Sequence, residues 1–246
     1  MTSPGSAAGG RREETRRDSP SREAFSTVTL TFRSGGVKCV GRLYRPDRPT
    51  DPPLVVLSGG PIGAGAGVLE PYAEQSVPIL ALEPSCYSVL VDDARRYAPG
   101  PTAQAVADST VLFNEFIQSR VDNELNEEMV NPPGDLLLHG HCHQKALSGS
   151  DAFVTIMDRV TRGNARFVDA GCCGMAGSFG YEEEHYELSR RMAERKLVPA
   201  VEQRAEGTTV VAPGLSCRQQ IQHFTSATVK HPVDVLADAL LAPTEA

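Results

Sequence analysis

The sequence predicts an α/β protein: a parallel sheet flanked by helices, with an N-terminal β-hairpin segment and a disordered N-terminal tail. Three observations carry this. Short apolar runs at Leu54–Leu57, Pro78–Leu82, Leu136–Leu138, Arg166–Val168 and Thr209–Ala212 are separated by turn residues and helical patterns. Apolar strands alternating with helices imply a parallel sheet covered on both faces. Upstream, two runs of alternating polarity flank Ser34-Gly35-Gly36, the pattern of a hairpin. Residues 1–24 are rich in Gly, Ser, Arg and Glu and hold almost nothing to bury, as a disordered tail does.

The elements follow in order. Thr27–Arg33 and Val37–Tyr44 are the hairpin strands, and the Pro-rich stretch 46–53 is a loop. Leu54–Leu57 is a core strand ending in Ser58-Gly59-Gly60-Pro61, and Gly67–Glu74 is a small helix. Beyond it, helices are expected over Ser85–Tyr97, Ala103–Arg120, Asp151–Thr161, Glu182–Glu202, Cys217–Thr225 and Val233–Leu241. The longest is amphipathic: Tyr186, Leu188, Met192, Leu197 and Val201 fall near helical spacing. This divides the chain into a tail (1–24), a β segment (25–76) and a strand–helix domain (77–246).

Composition narrows the function. A net charge of −7 over 246 residues argues against a nucleic-acid surface. The Arg11-Arg12 and Arg16-Arg17 pairs are interleaved with acidic residues, as in a solvated tail. No apolar run reaches the roughly 18 residues of a membrane span, and the basic, polar start is not a secretory signal. A cytoplasmic location is therefore expected. There, cysteines are reduced, metal-bound or reactive rather than paired in a disulfide framework.

The six cysteines are the informative residues. Cys86, Cys142, the adjacent pair Cys172-Cys173, and Cys217 each follow an expected strand end. Ligands of open α/β sheets sit beyond those ends, so the five thiols are candidates for one shared site. As thiolates they are soft ligands for iron–sulfur clusters or zinc. Cys39 lies apart in the hairpin and reads as a small core residue.

Four stretches carry a family resemblance: Leu82-Glu83-Pro84-Ser85-Cys86, His139-Gly140-His141-Cys142-His143-Gln144-Lys145, Gly171–Tyr181, and Pro213-Gly214-Leu215-Ser216-Cys217-Arg218-Gln219-Gln220 followed by His231-Pro232-Val233. In this order they resemble the cysteine-rich CCG domain at the C-terminus of FAD-linked oxidases and in iron–sulfur subunits of the glycolate oxidase, anaerobic glycerol-3-phosphate dehydrogenase and heterodisulfide reductase type. The resemblance covers about 77–241. Residues 25–75 resemble instead the first strands of an α/β-hydrolase, as if a truncated hydrolase segment were joined to the CCG domain near Glu74–Pro78.

The CCG resemblance implies an iron–sulfur cluster, either [4Fe–4S] or non-cubane, held by Cys142, Cys172, Cys173 and Cys217. The family's fifth cysteine is replaced by Gln220, and Cys86 is the candidate substitute. Zinc on the same cysteines is the alternative cofactor. FAD would reside only on a partner, because no nucleotide-binding glycine fingerprint precedes Leu82. The expected partner is a flavin-containing oxidase chain or another iron–sulfur subunit. The implied function is electron transfer for an oxidoreductase acting on a hydroxy acid or a glycerol 3-phosphate-like substrate, with the chain not self-sufficient as an enzyme.

Other readings are weaker. His139, His141 and His143 alternate and, in an extended segment, would share a face opposite Cys142. Structural hydrogen bonding is the preferred role and metal ligation the alternative. Lys145 and Arg218 adjoin the cysteines, either to balance cluster charge or as helix-surface residues. Hydrolase activity would need a nucleophile elbow and a Ser, acid, His order. Gly214-Leu215-Ser216-Cys217-Arg218 lacks the last glycine, and no acid lies between Ser216 and His231. A non-catalytic zinc-binding or interaction module remains as the alternative function. The glycines at 59–65 lack the Lys-Ser/Thr of a phosphate loop.

Overall fold

The computed structural model describes residues 25–34, 37–46, 54–57, 66–120, 133–177 and 179–240, with side chains from Leu69 onward except at Arg120. The expected tail, the glycines at 59–65 and Ser178 lie outside the described residues. The architecture is α/β, with parallel strands flanked by helices. The strands are divided over two sheets rather than gathered in one. The chain forms two compact units: Met1–Leu82 with Val89–Val111, and Glu83–Ser88 with Leu112–Ala246.

In the first unit, β1 (Phe25–Ser34) and β2 (Val37–Pro46) form the hairpin, pairing antiparallel with Phe32 opposite Cys39. β3 (Leu54–Leu57) lies antiparallel to β2, and β4 (Ile79–Ala81) parallel to β3. β5 (Thr110–Leu112) completes the order β1-β2-β3-β4-β5. Helix α1 (Ala66–Ala73) supplies Leu69 and Ala73 to a core with Val77, Ile79, Leu90 and Val106.

The helix expected over Ser85–Tyr97 is divided. Its first turn is α2 (Pro84–Ser88), followed by a π turn at Val89–Asp93 and α3 (Ala94–Tyr97). The helix expected over Ala103–Arg120 is also interrupted. α4 (Pro101–Ser109) gives way to β5 before α5 (Phe113–Arg120). The break falls at Thr110-Val111, two β-branched residues that fit a strand better than a helix. The Thr110 hydroxyl donates to the Val106 carbonyl at 2.6 Å and closes the end of α4.

The second unit holds a wholly parallel sheet. Its strands are β6 (Leu136–His139), β7 (Ala165–Val168), β8 (Thr209–Val211) and β9 (Val229–Lys230), in the order β7-β6-β8-β9. The pleat sends successive side chains to opposite faces. Leu136 and Leu138 meet Phe153, Ile156, Met157 and Val160 of α7 (Asp151–Val160). That i, i+3, i+4, i+7 spacing places one stripe of the helix on the sheet. Leu137 points the other way, into a core with Val201, Val210, Ile221 and the two thiols Cys173 and Cys217. The sheet thus delivers two of the candidate ligands into its second core.

The remaining helices are α6 (Cys142–Leu147), α8 (Tyr186–Glu194), α9 (Leu197–Glu202), α10 (Leu215–Phe224) and α11 (Pro232–Leu240). The single helix expected over Glu182–Glu202 is a 3-10 turn at Glu183–His185 followed by α8 and α9. No described helix is long and apolar enough to cross a membrane.

Candidate metal centre

Three neighbouring parallel strands end on the same edge of the second sheet, and each end leads into a cysteine. β6 runs through Gly140 and His141 to Cys142, the first residue of α6. β7 leads to the loop bearing Cys172 and Cys173. β8 leads through Pro213 and Gly214 to α10, which carries Cys217 in its first turn. Because the strands are adjacent and parallel, their C-terminal ends must lie side by side.

The four sulfurs form one continuous run. Cys142 hydrogen-bonds Cys172, Cys172 hydrogen-bonds Cys173, and Cys173 Sγ lies 3.5 Å from Cys217 Sγ. Acidity alternates along it. The hydrogen bonds from Cys142 and Cys173 hold the Cys172 thiol well below its ordinary range, helped by the Gly174 N–H, which donates to Cys172 Sγ at 3.3 Å. The bond from Cys173, and then His139 and His141, hold Cys217 low against its burial. Cys142 and Cys173 are pushed up, first by their hydrogen bonds to neighbouring sulfurs and then by burial. The acidities therefore alternate along the run, raised at Cys142 and Cys173 and lowered at Cys172 and Cys217.

Cys86 is placed differently from the expectation. The strand before it, β4, belongs to the first sheet, so Cys86 does not follow a strand of the sheet that bears the other four. It is buried on α2, which packs against α6, the helix opened by Cys142.

The histidines are not one extended row, because the chain turns helical at Cys142. His139 ends β6, is 1% exposed, and faces Cys217. Neither of its ring nitrogens has hydrogen-bond geometry to a protein partner. His141 caps α6: its Nδ1 accepts from the His143 N–H at 3.2 Å. Burial pulls the His141 ring below its usual range, opposed by Cys217 and Glu83. His141 Nε2 lies 3.4 Å from Ser85 Oγ, and His143 Nδ1 lies 2.8 Å from Ser88 Oγ. Two serine–histidine bonds thus clamp α2 onto α6.

The cations brace backbone. Lys145 Nζ donates to the Gly171 carbonyl at 2.6 Å, just before Cys172. Arg218 Nη1 donates to the Ala212 and Pro213 carbonyls at 2.9 and 2.7 Å, tying the end of β8 to α10.

Two glycines make room. A Cβ on Gly214 would meet His141 Cδ2 at 2.2 Å and Cys217 Sγ at 3.3 Å. Gly174 has φ 102°, in the left-handed region, and its Cβ would meet the Ser189 carbonyl at 2.7 Å.

Sequence reasoning missed Glu83, Ser85, Ser88 and Ser189. Glu83 Oε2 accepts from the Leu215 N–H at 2.8 Å, capping α10 from 132 residues away. A carboxylate suits a helix N-terminus, and Leu82-Glu83-Pro84-Ser85-Cys86 was visible as a motif, though not its partner. Gln220, at the position of the family's fifth cysteine, is 2% exposed. Its Nε2 donates to Ser189 Oγ at 2.9 Å and the Ser189 carbonyl at 3.4 Å, while its Oε1 has no hydrogen-bond partner.

The chain is 27% identical over 171 residues to a D-2-hydroxyglutarate dehydrogenase of Pseudomonas putida, covering 68% of this chain and 16% of that protein. Over 173 residues it is 22% identical to one of the subunits of the anaerobic glycerol-3-phosphate dehydrogenase of Escherichia coli, a match spanning 70% of this chain and 43% of that protein. A shorter match, 34% over 70 residues, is to a D-2-hydroxyglutarate dehydrogenase of Haemophilus influenzae and covers 28% of this chain and 7% of that protein. No protein-family model matches the chain. The chain is thus similar to parts of dehydrogenases over about two thirds of its length, and spans less than half the length of each.

Proposed function

We propose that the chain is a cytoplasmic iron–sulfur electron-transfer unit working with a flavin-containing partner that oxidises a hydroxy acid or a glycerol 3-phosphate-like substrate. Cys142, Cys172, Cys173 and Cys217 are its ligands, with Cys86 in reserve on α2. The observation that carries the reading is the unbroken run of four sulfurs from three separate strand ends. The similarity to dehydrogenases supports it.

The donor set fits such a group: four soft sulfurs, two of them held more acidic than an ordinary thiol, in a partly buried wall. An iron–sulfur cluster held there supplies one-electron transfer. The chain's own residues hold and orient it. The Gly174 N–H and the His139 ring stabilise negative sulfur, Lys145 and Arg218 fix the loops, and Met175 with the second core excludes water. Zinc on the same sulfurs is the alternative, and the metal content separates the two.

The test is iron, zinc and acid-labile sulfide content with an EPR spectrum of anaerobically prepared protein. Iron with sulfide supports the proposal. Zinc without sulfide replaces it with the zinc-module reading, and neither iron nor sulfide after anaerobic reconstitution ends it.

A further inference from the structure

We infer that the open edge of β7 is a docking site for an extended, acidic segment of a partner protein, which would join the second sheet as a further strand. β7 ends the order β7-β6-β8-β9, and among the described residues no strand pairs with its outer edge. A groove of about 950 Å³ runs along it, lined by every residue of 163–169. Side chains of a strand alternate between its two faces, so only the backbone edge is common to all these residues. The opposite wall is α9 with its flanks. Lys196, Pro199, Ala200 and Gln203 fall at the spacing of one helix face. Helix α9 therefore covers the strip beside β7 that a further strand would fill.

The register identifies the backbone groups on offer. The Leu136 N–H donates to the Asn164 carbonyl at 3.0 Å, with Leu136 opposite Ala165. In a parallel pair alternate residues bond the same neighbour. Asn164, Arg166 and Val168 thus turn their peptide groups to β6, and Ala165 and Phe167 turn theirs to the groove. Lys196 Nζ donates to the Asp169 carbonyl, the next in that alternation, at 3.1 Å. Such an edge offers main-chain hydrogen bonds to an added strand.

Charge selects the occupant. Paired residues share a face of the sheet. Arg166 is exposed and opposite Leu137, which packs with Val201 of α9, so Arg166 lies on the α9 side of the groove. Lys196 and Arg204 line the same groove, and the acids Asp135 and Asp169 stand at its two ends, before β6 and after β7. This excess of cations occurs in a chain of net charge −7. Ala165 and Phe167 lie on the other face, with the core under α7. An incoming strand with an acid at every second position would set its carboxylates against the cations and its apolar residues beside Phe167. A second β7 is the poorer occupant, because pairing of two copies would bring their Arg166 side chains together. The inference is independent of what the thiols hold.

The experiment is titration of the full chain with the blocked peptide Val-Glu-Val-Glu-Val-Glu-Val, its Lys-for-Glu counterpart, and the acidic peptide with Pro at its central position. Calorimetry reads affinity and NMR reads amide exchange. The acidic peptide should bind saturably and slow exchange of the Ala165 and Phe167 amides, leaving Arg166 and Val168 unchanged. The Lys peptide should bind about fivefold or more weakly, from the lost ion pairs. The Pro peptide, lacking a main-chain donor, should also weaken. Arg166→Glu should remove the preference for the acidic peptide. Should that variant fail to fold by circular dichroism, Lys196→Glu is read in its place. No binding at about 1 mM peptide, equal affinity for both charges, or unchanged exchange at Ala165 and Phe167 overturns the inference. Slow exchange of those two amides in the free chain also overturns it: sedimentation as a dimer then assigns the edge to a second copy, and as a monomer to another segment of the same chain.

Discussion

Cys173 and Cys217 place their sulfurs 3.5 Å apart although 44 residues separate them in the chain. Both thiols are buried in the same core as Leu137, Val210 and Ile221. The contact is therefore imposed by packing of β6 and β8 with α10, not by the local loops. It also polarises the pair. Cys173 is pushed up and Cys217 pulled down, with His139 and His141 beside it.

That polarity predicts an order of chemical reactivity. Cys172 and Cys142 are both partly exposed, yet their acidities are driven in opposite directions. A depressed thiol is ionised below the usual value of about 8.5 and reacts as thiolate there. In the metal-free, reduced chain, iodoacetamide at about pH 6.5 should label Cys172 well before Cys142. Removing the donor with Cys142→Ala should slow labelling of Cys172 at that pH. Peptide mass mapping over time reads both, and preferential labelling of Cys142 would contradict the alternation.

The clamp on α2 predicts a stability effect remote from any sulfur. Ser88→Ala leaves His143 Nδ1 without its 2.8 Å partner. Loss of a partly buried hydrogen bond costs about 1 kcal/mol. The change should lower the unfolding free energy by that amount, read as a lower urea midpoint, and protease cleavage near Pro84–Ser88 should quicken. Unaltered cleavage would mean that α2 is held by packing alone.

How much of this was legible in the sequence depends on the range of the interaction. Leu136–Leu138 is a continuous apolar run, and its strand could be read directly. So could α7, whose Phe153, Ile156, Met157 and Val160 keep strict helical spacing. The cysteines' shared edge was legible because strand ends attract ligands whatever the pairing. The division into two sheets was not, since an apolar run does not name its neighbour. That is why Cys86 was grouped with strand ends of a sheet to which β4 does not belong. A helix was legible after the Cys142 motif, but not its bounds, because six residues are too few for periodicity and the start of α6 depends on the His141 cap. Glu83 as the cap of α10 is a contact across 132 residues, which no local pattern encodes.

Gly214 tests how closely His141 is fitted. The Cβ of Gly214→Ala would overlap the imidazole at 2.2 Å, and that ring is held by α6 on one side and Ser85 on the other. Overpacking of this kind costs about 1–3 kcal/mol. The midpoint of chemical unfolding should fall accordingly, and the His141 ring proton resonances should shift. An unchanged midpoint would show that the ring has free space to move.

The alternating acidities set the pH dependence of metal uptake. All four sulfurs must be deprotonated to act as ligands. Cys172 and Cys217 are held low and Cys142 and Cys173 high, so the first two give up their protons at lower pH than the second two. Binding one thiophilic ion therefore releases fewer protons than the four of unperturbed thiols. By linkage, the logarithm of the affinity should rise with pH by fewer than four units per pH unit between about pH 6 and 8. Raising the pH through the range strengthens binding, and acid weakens it, because the raised thiols compete for protons throughout. Cadmium is a suitable probe, since its thiolate charge-transfer absorbance reports occupancy directly. A slope near four would mean that the thiols titrate independently. In Cys173→Ala the proton that Cys217 regains offsets the one lost with Cys173, so any rise in the slope measures the proton regained by Cys172, which loses one of its two sulfur donors.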